Sequence, residues 1–152
     1  MTATRLLPMF AMGVMLLGCS VPSEIPSRDK AVAFVEHLYP LAEAGQFEAL
    51  CANGGGNCQT VLDDAGRDAV PNERPKIVDS FAIPSSDTAD GTRVGGLVLV
   101  LCGTDGLDRP FRTEMLIFRD GSTLRAIEPV YWSGMAVSGG NLSNAKPSAN
   151  AC

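Results

Sequence analysis

The sequence predicts an α+β fold in which N-terminal helices pack on a curved, four-stranded antiparallel sheet. Three observations lead there. Apolar residues recur at three- and four-residue steps across residues 29–44. Beyond Pro75 the texture changes to runs rich in β-branched and aromatic residues, bounded by turn signals. The helical pattern comes first and the strands follow one another, an order that segregates helices on one face of a sheet.

The first helix is expected from Asp29 to Ala44, with Ala31, Phe34, Val35, Leu38, Leu41 and Ala42 forming its apolar stripe. Ser27 or Asp29 is placed to cap its start. Pro40 lies inside the pattern and is expected to kink or end the helix, because it removes a backbone donor. Gly45 stops it, and Gln46 to Cys51 reads as a second short helix. Asn57 is a candidate cap for a third, from Cys58 to about Gly66. Four strands are expected: Lys76 to Ile83, Arg93 to Cys102, Phe111 to Arg119 and Thr123 to Trp132. Residues 84–91 read as a loop, and Asp120-Gly121 as a tight hairpin turn. Leu97-Val98-Leu99-Val100-Leu101 is apolar on both faces, which predicts a central strand covered on two sides. Gly95-Gly96 is assigned to sheet curvature. Residues 133–152, rich in Ser, Gly, Asn and Ala, are expected to be a flexible tail.

At the N-terminus, Arg5 precedes an apolar run from Leu6 to Leu17. That run spans about 12 residues, against the roughly 20 a membrane-crossing helix needs. With small Gly18 ahead of Cys19, it has the layout of a secretory signal. Leu16-Leu17-Gly18-Cys19 resembles the lipobox of bacterial lipoproteins. The resemblance implies that residues 1–18 are a removed signal peptide and that the Cys19 thiol takes a diacylglycerol. Cleavage before Cys19 and acylation with fatty acids such as palmitate would leave residues 19–28 as a lipidated tether. The protein would then sit on the extracytoplasmic face of the cell membrane. Two or three acyl chains hold firmly, since each buried methylene contributes about 0.8 kcal/mol.

The 152 residues include 12 Lys+Arg and 17 Asp+Glu. Arg5 is the one charge among the first 18, so the remainder carries 11 basic and 17 acidic side chains. This acidic balance argues against a nucleic-acid partner. It also leaves lipid as the source of membrane attachment, because anionic head groups repel such a surface. Four cysteines follow Cys19: Cys51, Cys58, Cys102 and Cys152. An even number outside the cell predicts disulfides. Cys51 and Cys58 flank the flexible Ala52-Asn53-Gly54-Gly55-Gly56-Asn57, so that pair is favoured, with Cys102 and Cys152 either a second pair or free. A metal site is the poorer reading: the only histidine is His37 and no close cysteine-pair repeat occurs.

From Asp29 to Trp132 the arrangement resembles the nuclear-transport-factor-2-like or cystatin-like superfamily. The helix, the Gly45-Gln46-Phe47-Glu48-Ala49-Leu50-Cys51 turn-and-helix and the long hairpins carry the resemblance. Leu62-Asp63-Asp64-Ala65-Gly66-Arg67-Asp68-Ala69-Val70-Pro71 and Arg112-Thr113-Glu114-Met115-Leu116 resemble small actinobacterial lipoproteins of that shape. The resemblance implies a domain over residues 29–132 with a cone-shaped cavity between helices and sheet. Sheet-face homodimers are common in the superfamily, and the doubly apolar second strand suits one.

Some relatives use the cavity as isomerases or dehydratases, which need a base in an apolar pocket and a donor for an enolate. The pocket candidates are Glu114, Tyr39, Tyr131 and Trp132. Glu114, inside an apolar strand, is the one plausible base, but strand polar residues usually mark the wet face, opposite residues such as Arg93 or Arg125. His37 flanks the helical stripe and is expected to be exposed. Asp64 and Asp68 share a helix face, but like charges four apart are commonly just solvated. Asp105 and Asp108 read as turn residues, lacking the alternating oxygens of a calcium loop. No catalytic set, cofactor or metal is expected. The resulting expectation is a non-catalytic binding or interaction module of the cell envelope, taking a small apolar ligand or an envelope protein. The alternative is an isomerase- or dehydratase-like enzyme that uses Glu114 on a small hydrophobic substrate.

Overall fold

A computed structural model describes residues 25–88, 91–137 and 152. The signal peptide, Cys19 and residues 138–151 of the expected tail lie outside the described residues. Three helices, α1 (Arg28–Glu43), α2 (Phe47–Cys51) and α3 (Cys58–Ala65), and a 3-10 turn at Arg67–Ala69 precede six strands. These are β1 (Lys76–Ile83), β2 (Ser86–Thr88), β3 (Gly91–Arg93), β4 (Gly96–Thr104), β5 (Pro110–Asp120) and β6 (Thr123–Ala126). The order β1-β4-β5-β6 makes an open antiparallel meander, and β2 and β3 form a separate small hairpin. The α+β class is therefore present, with its helices ahead of the sheet.

Side-chain alternation along the strands separates two faces. Leu99 and Leu101 of β4 and Phe111, Met115 and Ile117 of β5 pack in one core with Ala31, Phe34, Val35, Leu38, Tyr39 and Ala42 of α1. The intervening Val98 and Val100 are 0% exposed as well, so β4 is buried on both faces within one chain. A dimer through the sheet would have to use residues other than these.

Several elements depart from expectation, each for a physical reason. Pro40 does not end α1, which continues to Glu43. The Ala44 N–H donates to the Pro40 carbonyl, and buried Leu38, Tyr39 and Ala42 on either side of the proline hold the helix on the core. The helix closes at Gly45, whose φ of +66° suits a left-handed cap. Neither Ser27 nor Asn57 makes a side-chain capping bond. The expected loop at 84–91 contains the β2–β3 hairpin.

The fourth strand stops at Ala126 rather than reaching Trp132. There its backbone turns to the loop between α2 and α3: Ala126 N–H donates to Asn53 O, and Gly55 N–H to Ile127 O. Pro129 then has no donor to continue a ladder. Gly95 and Gly96 stand where neighbouring backbone approaches closely. A Cβ at Gly95 would fall on the Ser85 amide, and one at Gly96 on the Ile117 carbonyl.

The start of the expected tail is docked, not loose. Met135 is 7% exposed, its carbonyl accepts the Glu114 N–H, and Gly134 N–H donates to Thr113 Oγ1. This segment takes the stretch of β5 edge that the short β6 leaves open.

Candidate functional site

The helix-to-sheet interior holds three of the four expected pocket residues. Tyr39 of α1 meets Tyr131 edge-on with ring centroids 5.0 Å apart, and Tyr131 meets Trp132 at 4.9 Å. Trp132 Nε1 donates to Gly66 O at 3.1 Å, tying the segment after β6 to the turn after α3. Such edge-to-face aromatic pairs contribute about 0.5–1.5 kcal/mol beyond their burial. The Arg74 guanidinium lies 5.3 Å over the Tyr39 ring and also pairs with Glu43. Burial pushes the Tyr39 phenol up to about 12; Glu36 adds to this and Arg74 opposes it. Burial also raises Tyr131, with Glu43 adding to the shift. Both phenols are therefore hydrogen-bond donors, not bases, at neutral pH.

Glu114 is not part of this group. It lies opposite Val100, on the face turned away from α1, while Met115 beside it faces the helices. The expectation of a solvated strand carboxylate is overturned: Glu114 is 4% exposed. Its Oε1 accepts from Arg112 Nη1 at 2.7 Å, and its Oε2 accepts from the Val137 N–H at 3.1 Å. Arg125 Nη1 reaches Asp120 at 3.1 Å. The carboxylate thus joins β5 to the segment that follows β6. His37 is exposed on α1.

The acidic turn residues have structural partners. Asp105 is 6% exposed; its Oδ1 accepts the Leu107 and Arg109 N–H groups and its Oδ2 accepts Arg109 Nε at 2.7 Å. Asp108 takes a φ of +60° in the same turn. Asp63 pairs with Arg67 at 2.9 Å. Among the described residues no group of three His, Cys, Asp or Glu side chains is arranged to hold a metal ion.

Two features escaped the sequence reading. Glu128 is 5% exposed and its Oε1 accepts the Val130 N–H at 3.2 Å; burial raises its carboxyl to about 7. The second is a groove of about 750 Å³ at the far end of β4. One wall comes from residues 72–76, including Arg74 and Lys76; the other comes from the β4–β5 turn, including Thr104, Asp105 and Asp108. Cys102 and Cys152 also line it, and they are joined by a disulfide. A second disulfide joins Cys51 to Cys58. Nothing in the sequence marks the groove, because its walls are distant in the chain and are brought together by the β1–β4 pairing, by the Gly106 N–H donating to Ala69 O and by a bond spanning 50 residues.

No family model, no curated protein and no solved structure matches this chain.

Proposed function

We propose that this protein is a lipid-anchored extracytoplasmic lipoprotein whose domain is a non-catalytic interaction module of the cell envelope, with a nuclear-transport-factor-2-like fold. One observation carries the anchor. The two disulfides use Cys51, Cys58, Cys102 and Cys152, which leaves Cys19 as the one cysteine without an intrachain disulfide partner. That odd thiol follows Leu16-Leu17-Gly18 at the end of the apolar run, where a lipoprotein thiol is acylated. Two disulfides also suit an oxidising compartment outside the cytoplasm.

The non-catalytic reading is supported by the fate of the candidate groups. Glu114 is engaged by Arg112 and the Val137 amide, and the two phenols are held protonated. The fold reading is supported by the order of elements, a long helix and two short ones followed by a four-strand meander. The groove mixes apolar surface with the charged side chains Glu73, Arg74, Lys76, Asp105 and Asp108, a combination that favours an envelope protein over a small apolar ligand.

The test is metabolic labelling with a fatty-acid probe. Wild type is expected to incorporate label into a chain beginning at Cys19, and Cys19→Ser to lose the label and accumulate precursor. Unchanged labelling in that variant would overturn the anchor.

A further inference from the structure

We propose that the Cys102–Cys152 disulfide is a thiol–disulfide exchange site whose co-substrate is a dithiol. Three observations converge on this bond. The first is access: Cys152 is exposed and lines the groove, whereas Cys102 is 6% exposed. The Cys152 sulfur is partly covered, 3.3 Å from the Phe111 carbonyl oxygen, but belongs to the more exposed residue of the two, so an incoming thiolate meets it first and displaces Cys102.

The second is the electrostatics of the leaving group. Cys102 pairs in register with Lys76 on β1 and with Arg112 on β5. Residues directly opposite in antiparallel strands share a face, with Cβ atoms about 4.5–5.5 Å apart. Cys102 thus has a cationic residue opposite it on both neighbouring strands, and Arg74 is a further cation of the groove; Glu73, Asp105, already paired with Arg109, and Asp108 are its acids. Arg112 gives part of its charge to Glu114, and Lys76 stands exposed at the groove. Cations beside a thiolate lower its pKa, and a low-pKa thiol leaves faster.

The third is the contrast with Cys51–Cys58. Cys58 is 2% exposed in the helical core, Cys51 is half-buried, and residues 52–57 between them carry no charge. The two disulfides thus have different roles: one staples α2 to α3 from inside, and the other faces a groove.

The exchange balances without further reactants. One thiolate of the dithiol bonds to Cys152 Sγ, and the S–S electron pair leaves on Cys102 Sγ. The second thiol of the dithiol then attacks its own mixed-disulfide sulfur and releases Cys152. The dithiol departs as a disulfide, and two electrons and two protons reside on Cys102 and Cys152. The reverse sequence reoxidises the site.

The experiment uses the full chain in detergent, pulsed with dithiothreitol, alkylated and read cysteine by cysteine by mass spectrometry. Cys102–Cys152 is expected to open at least tenfold faster than Cys51–Cys58, without denaturant. Lys76→Met, which keeps the aliphatic stem, is expected to slow that opening several-fold. It should also move the pH midpoint of Cys102 alkylation upward in the reduced protein. Equal rates for the two disulfides, opening only in step with global unfolding, or an unchanged rate and midpoint in Lys76→Met would each overturn the proposal.

Discussion

Glu128 couples folding to pH through a single buried carboxyl. Among the described residues its one hydrogen bond is from the Val130 N–H, and burial raises it from 4.5 to about 7. In an unfolded chain the group ionises near 4.5; in the fold it keeps its proton until about pH 7. Its stabilising contribution is therefore complete below about 4.5, declines as pH rises, and is gone above about 7. Each pKa unit is worth about 1.4 kcal/mol, so the span amounts to something on the order of 3 kcal/mol. Urea unfolding at pH 5 and pH 8 should show that loss in wild type, and Glu128→Gln should remove most of the difference. A Glu128→Gln protein as pH-sensitive as wild type would contradict this account. Glu114 behaves differently, since its charge is paired. Glu114→Ala strands Arg112 and the Val137 amide, and should cost about 2–3 kcal/mol in the same assay. Neither carboxylate was legible in the sequence for what it is. Alternation along β5 reads Glu114 as wet only if one face of the strand is wet, and both are covered. Glu128 reads as the polar position of a strand that ends two residues earlier.

At the scale of elements, the long helix and the three long strands β1, β4 and β5 were legible because each carries its own periodicity. β1 was placed to the residue, and β4 and β5 within a few. What local pattern does not encode is the partner a backbone finds at long range. β6 stops where Asn53 and Gly55 take its hydrogen bonds, and α1 survives Pro40 because the core grips it on both sides. Two glycines separate steric from conformational demand. Gly96 has Ile117 O and the Leu116 side chain where a Cβ would stand, so Gly96→Ala must push β4 and β5 apart. Gly121 has open space but a φ of +62°, so Gly121→Ala meets only backbone strain. We expect Gly121→Ala to cost about 1–2 kcal/mol, the ordinary penalty for a left-handed residue. Gly96→Ala should cost more, about 2–3 kcal/mol, as overpacking does in a dense core. Thermal unfolding of the two variants side by side checks the ranking, and a milder Gly96→Ala would show that the strands yield easily.

At the scale of the whole molecule, the two disulfides constrain very different lengths of chain. Cys51–Cys58 has a sequence separation of 7, and Cys102–Cys152 one of 50. Loop entropy in the unfolded chain makes the long link worth about 4 kcal/mol and the short one about 2 kcal/mol. The long link encloses β5, β6 and the docked segment at 134–137, which otherwise holds through Thr113, Glu114 and the Met135 carbonyl. Composition hid this, since a stretch of Ser, Gly, Asn and Ala looks unattached, although Met135 and Cys152 fasten it at both ends. The more stabilising bond is thus also the one that faces the groove, so stability and redox state are linked. Cys102→Ala/Cys152→Ala should lower the unfolding free energy by about 4 kcal/mol, roughly twice the loss in Cys51→Ala/Cys58→Ala. Mild reduction of wild type should reproduce the first loss and not the second, because only the groove-facing bond is opened under native conditions. Were the short link the costlier to remove, the stabilisation would reside in the packing of α2 on α3 rather than in the length of chain each bond closes.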